Sequence, residues 1–322
     1  MADVDATPQA ETAAVVPPGP LRHYLDQLGR GSGEPAVEPI GEGHSNLTFL
    51  VRRGEERLVL RRPPLGKLSQ GANDVLREGR VLAALADSGV PVPAVVALCE
   101  DEEVIGAPFF LAAFVPGHVL VAALPAGWPT TIGERIAARL VGTLAALHRV
   151  DLGATGLDAF GRPDGYLERQ LRRFSTLLEE NATRPLPQLE RVHAWLEENL
   201  PSSPAPAFVH GDYRLGNVIL DDRGEIRAVL DWEMATTGDP LADLGYLCAM
   251  WAEPDDPETP MAALSKVTRG PEALALWKAA IFLEGSYRRH REGKSDDPYF
   301  ARLDAGVPAM ADAALARIRT AR

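Results

Sequence analysis

The sequence predicts an α+β chain in two lobes: a small antiparallel β-sheet with one helix, then a larger and mostly helical part that contains a short hairpin. Three observations carry this. Short β-type runs crowd residues 35 to 115, where a single long helical pattern interrupts them. Beyond Gly117 the apolar period changes to 3.6 almost throughout. Within that helical half, "FVHGDYRLGNVILDDRGEIRAVLDWE", from Phe208 to Glu233, returns to strand and turn and concentrates polar side chains.

Residues 1 to 17 are rich in Ala, Pro, Thr and acids with no period, and they are expected to form a mobile tail. Strands are expected where β-branched and aromatic residues gather: "NLTFLVRR" (46–53), "RLVLRR" (57–62), "AVVALCE" (94–100) and "PFFLAAFV" (108–115). In "GANDVLREGRVLAALADSG" Val75, Leu76, Val81, Leu82 and Leu85 recur near helical spacing. Pro116-Gly117 is a strong turn signal, which divides the chain into lobes at 18–115 and 116–322. Further helices are expected at about 131–149, 164–181, 187–199, 240–252, 271–292 and 298–319. "AFVH", "NVIL" and "IRAVLD" read as short strands, with "DDRGE" as the turn between the last two.

Composition narrows the function classes. The chain has 322 residues, 46% of them hydrophobic and 24% charged, as in ordinary globular proteins. Its formal net charge of −12 argues against a nucleic-acid surface, which needs clustered Lys and Arg to neutralise phosphates. Without an apolar run of roughly 20 residues, or a basic region ahead of an apolar core at the N-terminus, no membrane partner and a cytoplasmic location are expected. Cys99 and Cys248 are far apart and outside any CxxC, so they suggest neither a disulfide nor a zinc site.

The chemistry is concentrated in the Phe208–Glu233 stretch. Asp212 and Asn217 lie five positions apart in a loop that begins His210-Gly211, and Asp231 ends the apolar run Ile226–Leu230. A hairpin folded at "DDRGE" would bring the ends bearing Asn217 and Asp231 together. An amide and a carboxylate oxygen suit a hard cation that takes its other ligands from water and phosphate. Asp212 could then accept a proton from an attacking hydroxyl. Any one of these residues alone would fit a turn or a cap; the pattern H-G-D-x-x-x-x-N followed by D-W-E has few structural explanations. His210 more readily orders the loop by a hydrogen bond than transfers a proton.

The loop motif and the downstream Asp resemble the catalytic loop and metal-binding Asp of the aminoglycoside phosphotransferase and choline kinase family, small-molecule kinases with the protein-kinase-like fold. The resemblance covers most of residues 20 to 320. "GEGHSNLTFLV", "LVLRRPP", "GRPDGYLERQLRRF" and "VLDWEMATTGDPLADLGYL" look most like bacterial phosphotransferases similar to the kinase-like domain fused to some acyl-CoA dehydrogenases.

The resemblance implies ATP as donor, with GTP not excluded, and Mg²⁺ held by Asn217 and Asp231. It places a glycine-rich phosphate loop at 41–46, where Gly41 and Gly43 match the first two glycines, Asn46 replaces the third, and Ser45 could donate to phosphate. It implies a phosphate-binding cation at Arg61, with Arg62 as the alternative, where the family has lysine, and Glu78 as the carboxylate that orients that cation. Ala113, Phe114 and Val115 correspond to the hinge whose backbone holds the purine. Arg214 occupies the place of a catalytic-loop lysine and could neutralise the transferring phosphoryl group. Asp239 reads as an N-cap before Pro240, and Asp243 would anchor the catalytic loop.

The resemblance also implies a small-molecule hydroxyl as acceptor. Arg169, Arg172, Arg173 and Tyr166 suit an anionic acceptor such as a hydroxyacyl thioester or a phosphorylated metabolite. "AEPDDPE" (252–258) suits a cationic aminoglycoside or amino alcohol instead. A nucleotide-binding pseudokinase is the reading of another class, and the oligomeric state stays open.

Overall fold

The computed structural model describes residues 12–41, 46–65, 74–120, 124–129, 131–250, 273–295 and 298–320. The chain divides into two compact units. The first comprises residues 1–117 with 219–221 and 225–233; the second comprises 118–218, 222–224 and 234–322. The continuous division expected at 115 and 116 thus differs from the structure, in which most of one hairpin belongs with the first unit.

The first unit opens with helix α1 (Pro18–Gln27), which Pro17, Pro18 and Pro20 conceal in the sequence. Proline at a first helical position is compatible with helix, because that N–H has no intrahelical partner anyway. Behind it stands a five-stranded antiparallel sheet of β1 (Ala36–Pro39), β2 (Leu47–Arg53), β3 (Glu56–Arg62), β4 (Val95–Cys99) and β5 (Phe109–Ala113), in the order β1-β2-β3-β5-β4. Register sets Phe49 opposite Leu60 and Leu60 opposite Leu111. These three pack with Val51, Leu58 and Phe109 against Leu21 and Leu25 of α1. Val16, assigned to the mobile tail, is fully buried in the same cluster. An isolated valine pair at the end of an acidic, Pro-rich segment carries no periodic signal, so its burial shows only in the tertiary structure.

Helix α2 (Val75–Leu85) is capped by Asp74, whose side chain accepts from the Arg77 N–H. It approaches the sheet closely at Gly79, where a Cβ would run into the Leu98 side chain and stand 3.2 Å from Phe110. Arg61 pairs across the sheet with Phe110, one residue out of step with Leu60, and so lies on the opposite face from the α1 cluster.

The second unit is built from α3 (Ile132–Leu147), α4 (Tyr166–Asn181), α5 (Pro187–Glu198), the strand pair β6 (Ala207–Val209) and β9 (Thr236–Gly238), α6 (Pro240–Ala249), α7 (Ala273–Arg291) and α8 (Leu303–Thr320). Ile132, Ile136, Leu140 and Leu144 of α3 recur every fourth residue and are buried. Leu171, Phe174, Val192, Trp277, Val307 and Met310 belong to the core shared by α4, α5, α7 and α8, and the Trp277 Nε1–H reaches Leu189 O at 2.9 Å. The buried Glu284 accepts from the Thr183 N–H at 3.0 Å and pairs with Arg184 at 3.2 Å, so its charge is matched. The remaining pair, β7 (Val218–Leu220) and β8 (Ile226–Val229), closes through the Asp221 N–H to Glu225 O and the Glu225 N–H to Asp221 Oδ1. This is the turn read from "DDRGE". Among the described residues no helix is long and apolar enough to cross a membrane.

Candidate active site

In the first unit, β3, α2 and the segment after β8 bring charged groups together. Arg61 Nε lies 2.9 Å from Glu78 Oε2, and its Nη2 lies 2.7 Å from Asp231 Oδ1 and 3.5 Å from Glu233 Oε2. The Glu78 contact is an ion pair out of line for a hydrogen bond, since neither atom has a hydrogen-bond partner among the described residues. Burial works against the Arg61 charge, but Glu78, Asp231 and Glu233 outweigh it and raise its pKa above the ordinary value. Burial pushes Glu78 up to about 7; Arg61 opposes this, while the Asp231 and Glu233 charges add to it.

Arg62 leaves β3 on the other face, as strand alternation requires. It donates to the carbonyls of Val15, Ile105 (2.9 Å) and Pro63 (3.1 Å). Of the two candidate arginines, only Arg61 therefore meets the acidic set.

Asp231 has φ 65°, the single positive value among the described non-glycine residues. Held backbone strain of this kind is concentrated at functional sites. The following turn is fixed by Trp232, fully buried, whose indole N–H donates to Val229 O at 2.9 Å. Asn46 is buried and donates from Nδ2 to Glu233 at 3.1 Å, while its Oδ1 has no partner among the described residues. Gly41 takes φ 77°, which suits glycine. Gly43 and Ser45 lie outside the described residues. At the expected hinge the Ala113 N–H is bound to Ala94 O and the Phe114 N–H to Arg57 O, leaving the Val115 N–H without a partner among the described residues.

The second unit holds the loop. Asp243, on α6, is completely buried; its Oδ2 accepts from the His210 N–H and its Oδ1 from the Gly211 N–H, both at 2.7 Å. His148 Nε2 lies 3.0 Å from the same Oδ2. Gly211 has φ 84°, and a Cβ there would stand 2.8 Å from Met234 O. His210 Nδ1 accepts from the Asp212 N–H at 3.2 Å, the ordering role read from the sequence. The Tyr213 hydroxyl donates to Leu140 O at 3.0 Å and ties the loop to α3.

On this support Asn217 donates from Nδ2 to both Asp212 O (2.8 Å) and Asp212 Oδ2 (2.7 Å). Arg214 Nε lies 3.6 Å from the same Oδ2. Asp212 Oδ1 has no partner among the described residues. Asp239 caps α6 by accepting from the Leu241 N–H at 2.8 Å. Arg169 is used locally, donating to the carbonyls of Asp164 and Arg162, whereas Arg172 and Arg173 are exposed. "AEPDDPE" (252–258) lies outside the described residues. Of the two expected metal ligands, Asn217 belongs to the second unit and Asp231 to the first.

The donor chemistry fits a magnesium nucleotide. Three carboxylates meet one guanidinium in the first unit, a surplus of negative charge that a divalent cation would offset. Both Asn217 Nδ2–H bonds end on Asp212 oxygens, which leaves the amide oxygen as a hard donor. Among the described residues no set of three or more His, Cys, Asp or Glu is placed to hold a metal alone. Such an ion would complete its shell from an amide, water or phosphate.

Sequence reasoning missed Lys278. It is the one charge in the apolar run Ala273–Leu283, and that isolation was the available signal. His148 and Tyr213 gave no signal, because their roles depend on partners distant in sequence.

A family model described as "Phosphotransferase enzyme family" matches residues 36–277. Acyl-CoA dehydrogenase family member 10 of Mus musculus is 38% identical over 250 residues, which is 77% of this chain and 23% of that protein. The chain therefore spans about a quarter of that relative's length. A crystal structure from Ralstonia eutropha, described as a candidate aminoglycoside phosphotransferase, superposes with a TM-score of 0.78 at 28% identity, covering 94% of this chain and 98% of that one. An aminoglycoside phosphotransferase, APH(2")-IIIa, in complex with GDP and kanamycin shares the fold, with a TM-score of 0.63 at 18% identity over 90% of this chain and 99% of that one. The chain has the kinase-like fold and belongs to the aminoglycoside phosphotransferase family of small-molecule kinases.

Proposed function

We propose that the protein transfers the γ-phosphate of ATP to an alcohol group of a small metabolite, with Asp212 as the base. The observation that carries this is the pair of hydrogen bonds from Asn217 to Asp212 in a loop pinned by Asp243. They hold one carboxylate oxygen and leave Oδ1 to receive a hydroxyl proton. Phosphoryl transfer asks the protein for positioning and charge neutralisation rather than covalent chemistry. Arg61, oriented by Glu78, meets phosphate oxygens, and Arg214 offsets charge on the transferring group. Gly41, Gly43, Ser45 and Asn46 supply the phosphate loop, and Ala113, Phe114 and Val115 the backbone that meets the purine. Mg²⁺ would be held by Asn217 and Asp231 and would neutralise phosphate charge. GTP is the alternative donor, a reading supported by the GDP and kanamycin complex of the neighbour that shares the fold.

The acceptor of choice is a hydroxyacyl thioester or a related hydroxy acid. Support comes from the 38% identity to an acyl-CoA dehydrogenase family protein. An aminoglycoside or amino alcohol is the competing acceptor, and a pseudokinase would transfer to none. ADP release across hydroxyacyl thioesters, amino alcohols and aminoglycosides separates these readings. The expected result is release with the thioesters; tight nucleotide binding without transfer to any acceptor would instead establish a pseudokinase.

A further inference from the structure

A small cavity of about 20 Å³, room for roughly one water molecule, opens in the second unit beside the catalytic loop. Gly211, the residue before Asp212, forms part of its wall, with Leu241 and Leu274 among the apolar lining. Three side chains with hydrogen-bond donors also line it: Lys278 from α7, Tyr166 from the first turn of α4 and Tyr246 from α6.

Among the described residues neither the Lys278 ammonium nor the Tyr166 hydroxyl has a hydrogen-bond partner. Among the described residues Lys278 has no ion-pair partner; its ammonium lies 4.9 Å from the centre of the Phe174 ring. The charged groups facing it are Asp243, Arg173 and Asp212. Both Asp243 oxygens are already taken by the loop N–H groups, and Asp212 Oδ2 by Asn217. Burial pushes the ammonium down to about 8, although Asp243 and Asp212 favour its charged form. The Tyr166 ring is fixed against Gly238, where a Cβ would stand 2.6 Å from it, and burial pushes its pKa up, so the hydroxyl remains a donor. Lys278 is half-buried, and an ammonium drawn partly out of water without a carboxylate partner opposes folding.

We propose that Lys278 and Tyr166 bind the carboxylate or thioester carbonyl oxygen of the acceptor and so select hydroxy acids and their thioesters over cationic alcohols. The inference rests on the phosphotransfer reading, since it names the substrate class of that site. The cavity has room for about one oxygen atom beside Gly211, the residue before Asp212. An ammonium-bearing acceptor would instead meet a like charge, which disfavours it.

The test uses the full chain with ATP and Mg²⁺. Probes are short hydroxyalkanoates, their coenzyme A thioesters and matched amino alcohols, followed by ADP release and by calorimetric binding. The wild type is expected to prefer the acid or the thioester, and the two arms identify which. Lys278→Met should raise the KM for that acceptor at least roughly tenfold, the scale of one charge-assisted hydrogen bond, with a smaller change in kcat. Lys278→Arg should recover part of the preference. Should Lys278→Met fail to fold, Tyr166→Phe carries the same KM test. Unchanged selection in Lys278→Met, or a wild type that favours amino alcohols, overturns the inference and leaves phosphotransfer standing. Binding of a hydroxyalkanoate that Lys278→Met weakens, without ADP release from any acceptor, upholds the pocket and overturns phosphotransfer. Failure of every acceptor both to bind and to react overturns both.

Discussion

The two charged centres, Arg61 in the first unit and Asp243 in the second, solve the problem of a buried charge differently. Asp243 is fully satisfied within the protein: two backbone N–H groups and His148 surround it. Arg61 is instead outnumbered, with Glu78, Asp231 and Glu233 around a single guanidinium. One arrangement is closed, and changing it should damage the fold. The other is open to a further cation and to anions, so changing it should affect binding first.

The largest expected effect is on the closed centre. Asp243→Ala strips the acceptor from the His210 and Gly211 N–H groups, and two unsatisfied donors should cost roughly 2–5 kcal/mol in denaturant unfolding. Asp243→Asn retains one acceptor oxygen and should lose about half as much. Equal loss in the two variants would show that charge, rather than the pair of N–H bonds, holds the loop.

Next comes the contrast between the neighbouring arginines of β3. Arg61→Met should raise the KM for ATP about ten- to a hundredfold, the scale of a charged hydrogen bond, with little change in melting midpoint. Arg62→Met should do the reverse, since it strands the carbonyls of Val15 and Ile105; the expected loss is roughly 1–3 kcal/mol of stability. An equal KM change in both variants would erase the division of roles. Loss of Glu78 belongs to the same centre: Glu78→Gln should raise the KM for ATP less than Arg61→Met does, because Asp231 and Glu233 still hold the guanidinium.

The smallest effect is a pH dependence. Folding lowers the Lys278 pKa from 10.5 to about 8, so the unfolded chain binds more protons between those values. Wild-type stability should therefore gain on Lys278→Met as pH rises through that window, and the variant's advantage should be greatest below pH 8. A stability difference that stays constant from pH 7 to 11 would remove the case for a desolvated ammonium.

Much of this was legible in the sequence, for identifiable reasons. β2 to β5 and the long helices carry strong periods, and the loop from His210 to Asn217 is a local motif with its support one helix away at Asp243. The alternation of β3 placed Arg61 and Arg62 on opposite faces, but which face meets the acids depends on where α1 and α2 pack, a tertiary fact. Helix α1 was missed because its prolines read as breakers, although they sit where proline is tolerated. β1 and β9 are short and lack an apolar alternation. Val16 and Lys278 were missed because their surroundings come from residues far along the chain.

The most direct test of the account compares turnover and nucleotide affinity in Asp212→Ala. Asp212 is assigned to the hydroxyl and not to the nucleotide, so kcat at saturating acceptor should fall about 10²–10⁴-fold while the dissociation constant for ATP stays within about twofold of the wild type. Near-normal kcat with saturating acceptor would contradict the account.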